Sequence, residues 1–231
     1  MSRGRNELLA KHAGDHRLRR DRGRAVPQRA RFHLYLSWGG IMLIGAAAAL
    51  VLARGEGLRA LVLGTFLAIS VALVASHRLL PLPFGLLFVL ACLLGAAGYV
   101  WPALNDLRFY DNLAHLLMTL ALAPALGLLL YRPMLDGFAR HGLLFATLVA
   151  SIGLAVGALW EVFEYATGMA DPPLLAAAMH DLCSDTVGAV LGGGLAAWYV
   201  RVRHGGGHLW PLWMPGSAFR KRLPRGSEYR A

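Results

Sequence analysis

Residues 34–53, LYLSWGGIMLIGAAAALVLA, run for twenty positions without a charged side chain. About 20 predominantly apolar residues are what an α-helix needs to cross the hydrocarbon core of a bilayer. Five further apolar segments follow, at 58–76, 82–101, 109–131, 142–168 and 180–203. Inside lipid every backbone N–H and C=O must be satisfied within its own segment, so segments of this kind fold as helices. The expected fold is all-α: a polytopic membrane protein, a bundle of six transmembrane helices. The chain divides into a basic N-terminal tail, 1–33, a membrane domain, 34–203, and a basic, Trp-containing C-terminal tail, 204–231.

Composition agrees with this reading. The chain is 57% hydrophobic and only 16% charged, where a soluble domain has about 25% charged residues. Its formal charge of +10 is unevenly placed: ten Lys or Arg residues lie in 1–33 and seven in 201–231, which leaves six between. Basic ends around an apolar middle are what cytoplasmic retention and anionic headgroups select. That distribution argues for a membrane partner and against nucleic acid. An even number of spans puts both termini on one side, and their arginines make that side the cytoplasm. The loop at 132–141, with Arg132 and Arg140, then lies inside, and the loop at 169–179, with Asp171 and no base, lies outside. The first 33 residues are too polar to be a signal peptide, so the first span is expected to be uncleaved. In the tail 208–225, Trp210, Trp213 and Phe219 beside Arg220, Lys221, Arg222 and Arg225 are expected to rest on the inner membrane surface. Cys92 and Cys183 lack the spacing of a disulfide framework or a thiolate zinc site.

The ionisable groups within the spans are not scattered. Span four opens with Asp111, Asn112 and His115; span five closes with Trp160, Glu161 and Glu164; span six opens with His180, Asp181, Ser184 and Asp185. On the alternating topology all of these lie near the outer face. Asp111 and His115 are four apart, as are Asp181 and Asp185, and Glu161 and Glu164 are three apart, so each pair shares one helix face. Such faces are expected to turn toward one another, because a charged group facing lipid is costly. Five carboxylates and one histidine in one place repel unless a cation or shared protons relieve them. Arg108 is the one base expected nearby, with Arg54 outside the cluster.

Structural explanations compete with a functional one. Asp111 and Asp181 fit as first-turn acids favoured by the helix dipole, His115 fits as a hydrogen-bonded interior residue, and Trp160 fits as a member of the interfacial aromatic belt. The dipole explanation fails for Glu161 and Glu164, which sit at a helix C-terminus, where negative charge is disfavoured. The candidate catalytic residues are Glu161, Glu164 and Asp185. The candidate metal ligands are Asp111, His115, Glu161, Glu164, Asp181 and Asp185. Oxygen donors with an imidazole suit a divalent ion such as Mg, Ca, Mn, Fe(II) or Zn. A di-iron carboxylate bundle needs two Glu-x-x-His motifs, whereas this chain has a single Glu-x-x-Glu. Asp-x-x-x-Asp at 181–185 is similar to the magnesium–diphosphate motif of membrane phosphotransferases, but the rest of that signature is missing. Nucleophile elbow and phosphate loop are also missing.

Two glycine pairs, Gly153/Gly157 and Gly188/Gly192, are spaced to bring backbones together in lipid, and spans five and six are expected to pack closely through them. Pro124 is expected to kink span four.

The order YDNLAH, WEVFE, DLCSDTVGAVLG resembles the YjdF-like and VanZ-like families of small bacterial membrane proteins. Asp111 and His115 match the first element of the VanZ-like pattern, Glu161 the second, and Asp181, Gly188 and Gly192 the third. Asp185 stands where that pattern has asparagine, which is closer to the YjdF-like form. The likeness covers about 109–200 and implies a bacterial cytoplasmic (inner) membrane and a link to the cell envelope, without a known reaction. The leading expectation is an outward-facing, metal-assisted carboxylate/His site that binds or acts on a lipid-linked or amphiphilic envelope molecule. The alternatives are a non-catalytic assembly or scaffold protein, and a carrier or permeability factor whose carboxylates bind protons or cations. The sequence does not set the oligomeric state.

Overall fold

The computed structural model describes residues 28–104, 107, 109–169 and 175–204. The basic segment before residue 28, Arg108, Asp171 and the tail at 208–225 lie outside the described residues. Helix α1 spans Gln28–Ala53, α2 Gly57–Ala75, α3 Leu82–Val100 and α4 Tyr110–Leu130. A short helix α5, Leu135–Phe138, precedes α6, Gly142–Thr167, and α7, Leu175–His204. Among the described residues every regular element is helical, and the protein is a polytopic helical membrane protein. Five helices, α1 to α4 and α6, are long and apolar enough to cross a membrane. The sixth expected span is α7, whose 30 residues are ample in length. Asp181, Asp185 and four glycines between 188 and 194 make it less apolar than the rest.

Helix limits follow from local chemistry. Pro83 sits at the start of α3, where its missing N–H is no loss. Gly168 ends α6 in the left-handed conformation, φ 67°, with its N–H turned back onto the last carbonyls. Helix α4 continues on both sides of Pro124.

The helices form two groups of three. Helix α1 packs on α2 and α3; α4, α6 and α7 pack on one another, and α3 against α4 joins the groups. Helix α7 is wedged between α4 and α6, and glycine makes this possible. A methyl group at Gly188 would overlap Thr119 Oγ1 and the Leu116 carbonyl of α4, and one at Gly193 would overlap the Ala146 carbonyl of α6. At Gly192 it would lie 2.9 Å from Pro124 Cδ and 3.0 Å from the Leu120 carbonyl. That carbonyl is the one Pro124 leaves without its usual helical donor, and a close Cα–H is a weak substitute. Spans five and six pack closely, as expected, but the two glycine pairs do not meet each other. Gly153 and Gly157 face α7, through Ala189 and Asp185, while Gly188 and Gly192 face α4. Glycine spacing marks a close approach but does not name the partner.

Aromatic rings pack together at one end of the bundle. Phe84 of α3 meets Tyr199 of α7 edge-on at 5.4 Å, and Phe138 stacks on Phe145 at 5.0 Å. Asp136 Oδ1 and His204 Nδ1 lie 2.7 Å apart there. Arg31, Arg78, Arg132, Arg140, Arg201 and Arg203 belong to this end. At the other end a cavity lies between the two groups of helices.

Gly188→Ala is expected to destabilise the bundle by about 1–3 kcal/mol, the usual cost of overpacking. Gly194→Ala, on the same helix with nothing within 4 Å of the added methyl, is expected to be neutral or stabilising. Thermal unfolding in detergent measures both.

Candidate functional site

The open end holds the expected cluster. Helix α4 supplies Asp111 in its first turn and His115 one turn deeper; α6 supplies Glu161 and Glu164 in its last turns; α7 supplies Asp181 and Asp185. His115, Asp181 and Asp185 are buried, Asp185 almost completely at 1% exposure, while Asp111 is exposed. Ligand atoms of His115, Glu161 and Asp185 lie within 4.8 Å of one another, and so do those of Asp111, His115 and Asp181. His115 joins the two sets. Glu164 lines the same cavity but belongs to neither set, which separates it from the tighter group that sequence spacing suggested.

The distances within the first set are informative. His115 Nδ1 lies 3.4 Å from Asp185 Oδ2 and 3.7 Å from Glu161 Oε1. Good N–H···O hydrogen bonds are ~2.7–3.2 Å long. Two donors each ~2.1 Å from one ion at tetrahedral angles are about 3.4 Å apart. Glu161 Oε1 is buried and has no hydrogen-bond partner among the described residues, a costly state for a carboxylate oxygen. Room for this arrangement comes from Gly157, where a methyl group would lie 2.5 Å from Asp185 Oδ2. The glycine thus works as a cradle for the aspartate. These residues can hold a divalent ion with one nitrogen and several oxygen donors.

The first-turn explanation of Asp181 is overturned. Helix α7 begins at Leu175 rather than 180, so Asp181 sits in its second turn, and the first turn holds no acid. The dipole effect fades within one turn. Asp111 keeps that explanation, because α4 begins at Tyr110. Trp160 is not simply a belt residue: its ring lies against Phe66 at 5.8 Å and Phe163 at 5.5 Å, in the wall of the cavity.

A cavity of about 620 Å³ extends from the cluster into the bundle. It draws on α2 and α3 as well, which carry no acid or histidine in their interiors. Arg59 of α2 lines it and pairs with Glu56 at 2.7 Å, and Tyr99 of α3 lines it too. Sequence reasoning named Arg108 as the one nearby base and missed Arg59. The signal was available, since Arg59 opens the second span and therefore lies at the same end as the openings of spans four and six. Arg54 is not idle either: its Nη1 donates to the Val100 carbonyl at 2.9 Å and covers the end of α3. Tyr110 donates its hydroxyl to the Leu94 carbonyl and ties α4 to α3 beside the cavity.

In chelator-treated protein, Asp111→Asn is expected to lower stability by about 0.3–1 kcal/mol, the worth of a first-turn acid. Asp181→Asn is expected to cause no loss, because it removes a buried charge that the dipole does not stabilise. Thermal midpoints of the two variants at low salt provide the comparison.

Neither the curated proteins nor the solved structures gave a match to this chain. Residues 34–205 match the family described as "Predicted membrane protein (DUF2238)". That match takes in well over half of the 231 residues, and the chain belongs to this family.

Proposed function

We propose that this membrane protein holds a divalent cation between α4, α6 and α7 and uses it to bind a lipid-linked or amphiphilic molecule of the cell envelope. The observation that carries this reading is the group of His115, Glu161 and Asp185. His115 Nδ1 stands 3.4 Å and 3.7 Å from its two carboxylate neighbours, all three ligand atoms lie within 4.8 Å, and a Glu161 oxygen is buried without a partner among the described residues. Asp111 and Asp181, sharing His115, would complete the coordination or neutralise a second charge on the ion. A bound cation supplies Lewis acidity and a clamp for phosphate-like groups. Glu164, on the same cavity and outside both donor sets, is our candidate to accept a proton from a molecule held there. We take the site to face outward, with both termini in the cytoplasm of a bacterial inner membrane. Supporting this orientation, Arg31, Arg78, Arg132, Arg140, Arg201 and Arg203 gather at the other end. The resemblance of the site motifs to YjdF-like and VanZ-like proteins agrees with an envelope role.

Two other readings have less support. A scaffold has no need of buried carboxylates, each of which costs about 3 kcal/mol at the centre of an inserted helix. A carrier commonly shows paired repeats, and α1 to α3 carry no counterpart of the acids on α4, α6 and α7.

Protein purified without chelator is expected to contain stoichiometric divalent metal. Glu161→Gln, which keeps volume and hydrogen bonding but removes the charge, is expected to lose the metal while expression and helix content stay unchanged. Arg132→Gln, at the opposite end, is the control and should keep it. Elemental analysis decides: if the wild-type protein carries no metal and calorimetry detects no binding of Mg, Ca, Mn or Zn, the reading is wrong.

A further inference from the structure

The ionisable groups occupy only one end of the cavity, and the deeper hydroxyls of Thr65 and Thr119 are bonded to carbonyls of their own helices. Deeper in, its wall is Phe66 and Ile69 of α2, Phe88 of α3, and Met118 and Leu122 of α4. From Asp111 to Leu122, α4 descends about 16 Å, roughly half of the ~30 Å hydrocarbon core. Polarity along the cavity therefore falls from a charged layer to an apolar chamber, in the order of headgroup and chain in an amphiphile. The volume, about 620 Å³, lies within the range of sites that enclose one small ligand, ~300–1,000 Å³. A single chain suits it better than a whole diacyl lipid.

The cavity also has a weak side. Helix α2 packs on α1 and α3, and α6 packs on α4 and α7. Across the gap between α2 and α6, the rings of Phe66 and Trp160 meet at 5.8 Å, and Phe163 supports Trp160 from its own helix. Phe66 lies about 13 Å below the start of α2 and Trp160 about 10 Å below the end of α6. Both rings thus stand inside the spans, at about the depth of Glu161, the neighbour of Trp160 on α6. Leu61 and Leu159, 63% and 68% exposed, lie on the outer surfaces of the same two helices. An opening between these helices leads to lipid.

We propose that the apolar half of the cavity is a binding site for one hydrocarbon chain, which enters sideways from the adjoining leaflet between α2 and α6, with Phe66 and Trp160 as the door. This rests on the reading that the site takes an amphiphile, and it names the part of the molecule that the carboxylates do not touch. Gly95 keeps the chamber open: a methyl group there would be in ordinary contact, 3.4 Å from Phe66 Cε2 and 3.9 Å from Met118 Cε. A longer side chain would extend into the space the hydrocarbon needs.

The test uses the full-length protein in nanodiscs with two probes of equal chain length, an alkanol and an alkyl phosphate, each with a diazirine near the chain end. After illumination, mass spectrometry is expected to find label on Phe88, Met118 or Leu122. Gly95→Leu should reduce that label at least several-fold while metal content stays as in wild type. Trp160→Ala should speed labelling and Trp160→Phe should not. Label confined to lipid-facing residues such as Leu61 and Leu159, or chamber label indifferent to Gly95→Leu, overturns the proposal. Metal analysis keeps the two readings apart. If the chain site is real and the cation reading wrong, the alkanol labels the chamber and neither probe responds to chelator. If both hold, chelator weakens the phosphate probe alone. A Gly95→Leu protein that fails to fold shifts the decision to the wild-type label map and the two Trp160 variants.

Discussion

Helix α7 lies against the backbones of two neighbours at once, and everything at the open end depends on that contact. Gly188 and Gly192 rest on carbonyls of α4, and Gly193 rests on a carbonyl of α6. In lipid there is no hydrophobic force to draw helices together, so close van der Waals packing must do it. This seating brings Asp181 and Asp185 to the depth of His115 and Glu161. A side chain at Gly188 would push α7 away from α4 and separate Asp185 from His115. The same glycines and aspartates make α7 the least apolar of the long helices. Its glycines and aspartates face the neighbouring helices, while apolar side chains such as Val187, Val190, Leu191 and Trp198 face outward.

The acid cluster makes an energetic demand that packing does not meet. Asp185 is almost wholly buried, and its nearest polar partner is an imidazole nitrogen at 3.4 Å. Breaking or omitting the partner of a buried charge costs about 3–5 kcal/mol. Glu161 Oε1 adds an atom without a partner among the described residues, and Arg59, which lines the cavity, is already engaged by Glu56. Helix geometry gives no compensation, since the glutamates lie near the negative end of α6 and Asp181 is past the first turn of α7. A cation among these donors would offset the repulsion and supply the missing partner together, which is why the proposed function begins from the ion and not from a particular reaction.

Much of this was legible in the chain. Six apolar runs gave six long helices, with limits within about five or six residues, because span length is set by bilayer thickness rather than by subtle propensities. The convergence of Asp111, His115, Glu161, Asp181 and Asp185 was legible too, since antiparallel spans and i, i+4 spacing together decide depth and face. What escaped has a common cause. Helix α7 begins at Leu175 because alanines and leucines continue it beyond the apolar run, and hydropathy does not see a helix that continues past the lipid boundary. The partners of the glycine pairs, the place of Trp160 and the role of Arg59 all depend on rotation about helix axes. Spacing on one helix says which residues share a face but not which neighbour that face meets. Glu164 shows the limit clearly: it shares a face with Glu161, and yet it lies one turn too far along α6 to join the donors of His115.

The two groups of helices contribute unlike chemistry to one cavity. Helices α4, α6 and α7 carry all five carboxylates and the histidine. Helices α2 and α3 add apolar wall, one tyrosine and an arginine at the mouth. This asymmetry has a mechanical consequence. The acid-bearing group is held together by glycine contacts that tolerate little displacement, so the donor set stays rigid. The other group meets it through the α3–α4 contact, and at the open end through two aromatic rings. Aromatic rings in contact slide and tilt at small cost compared with interlocked backbones, because a ring pair contributes only ~0.5–1.5 kcal/mol beyond its buried area. Opening the cavity toward lipid therefore requires movement of α2 and its neighbours, not of the donors. A bundle built this way can admit a bulky apolar molecule while the spacing of its charged groups is preserved.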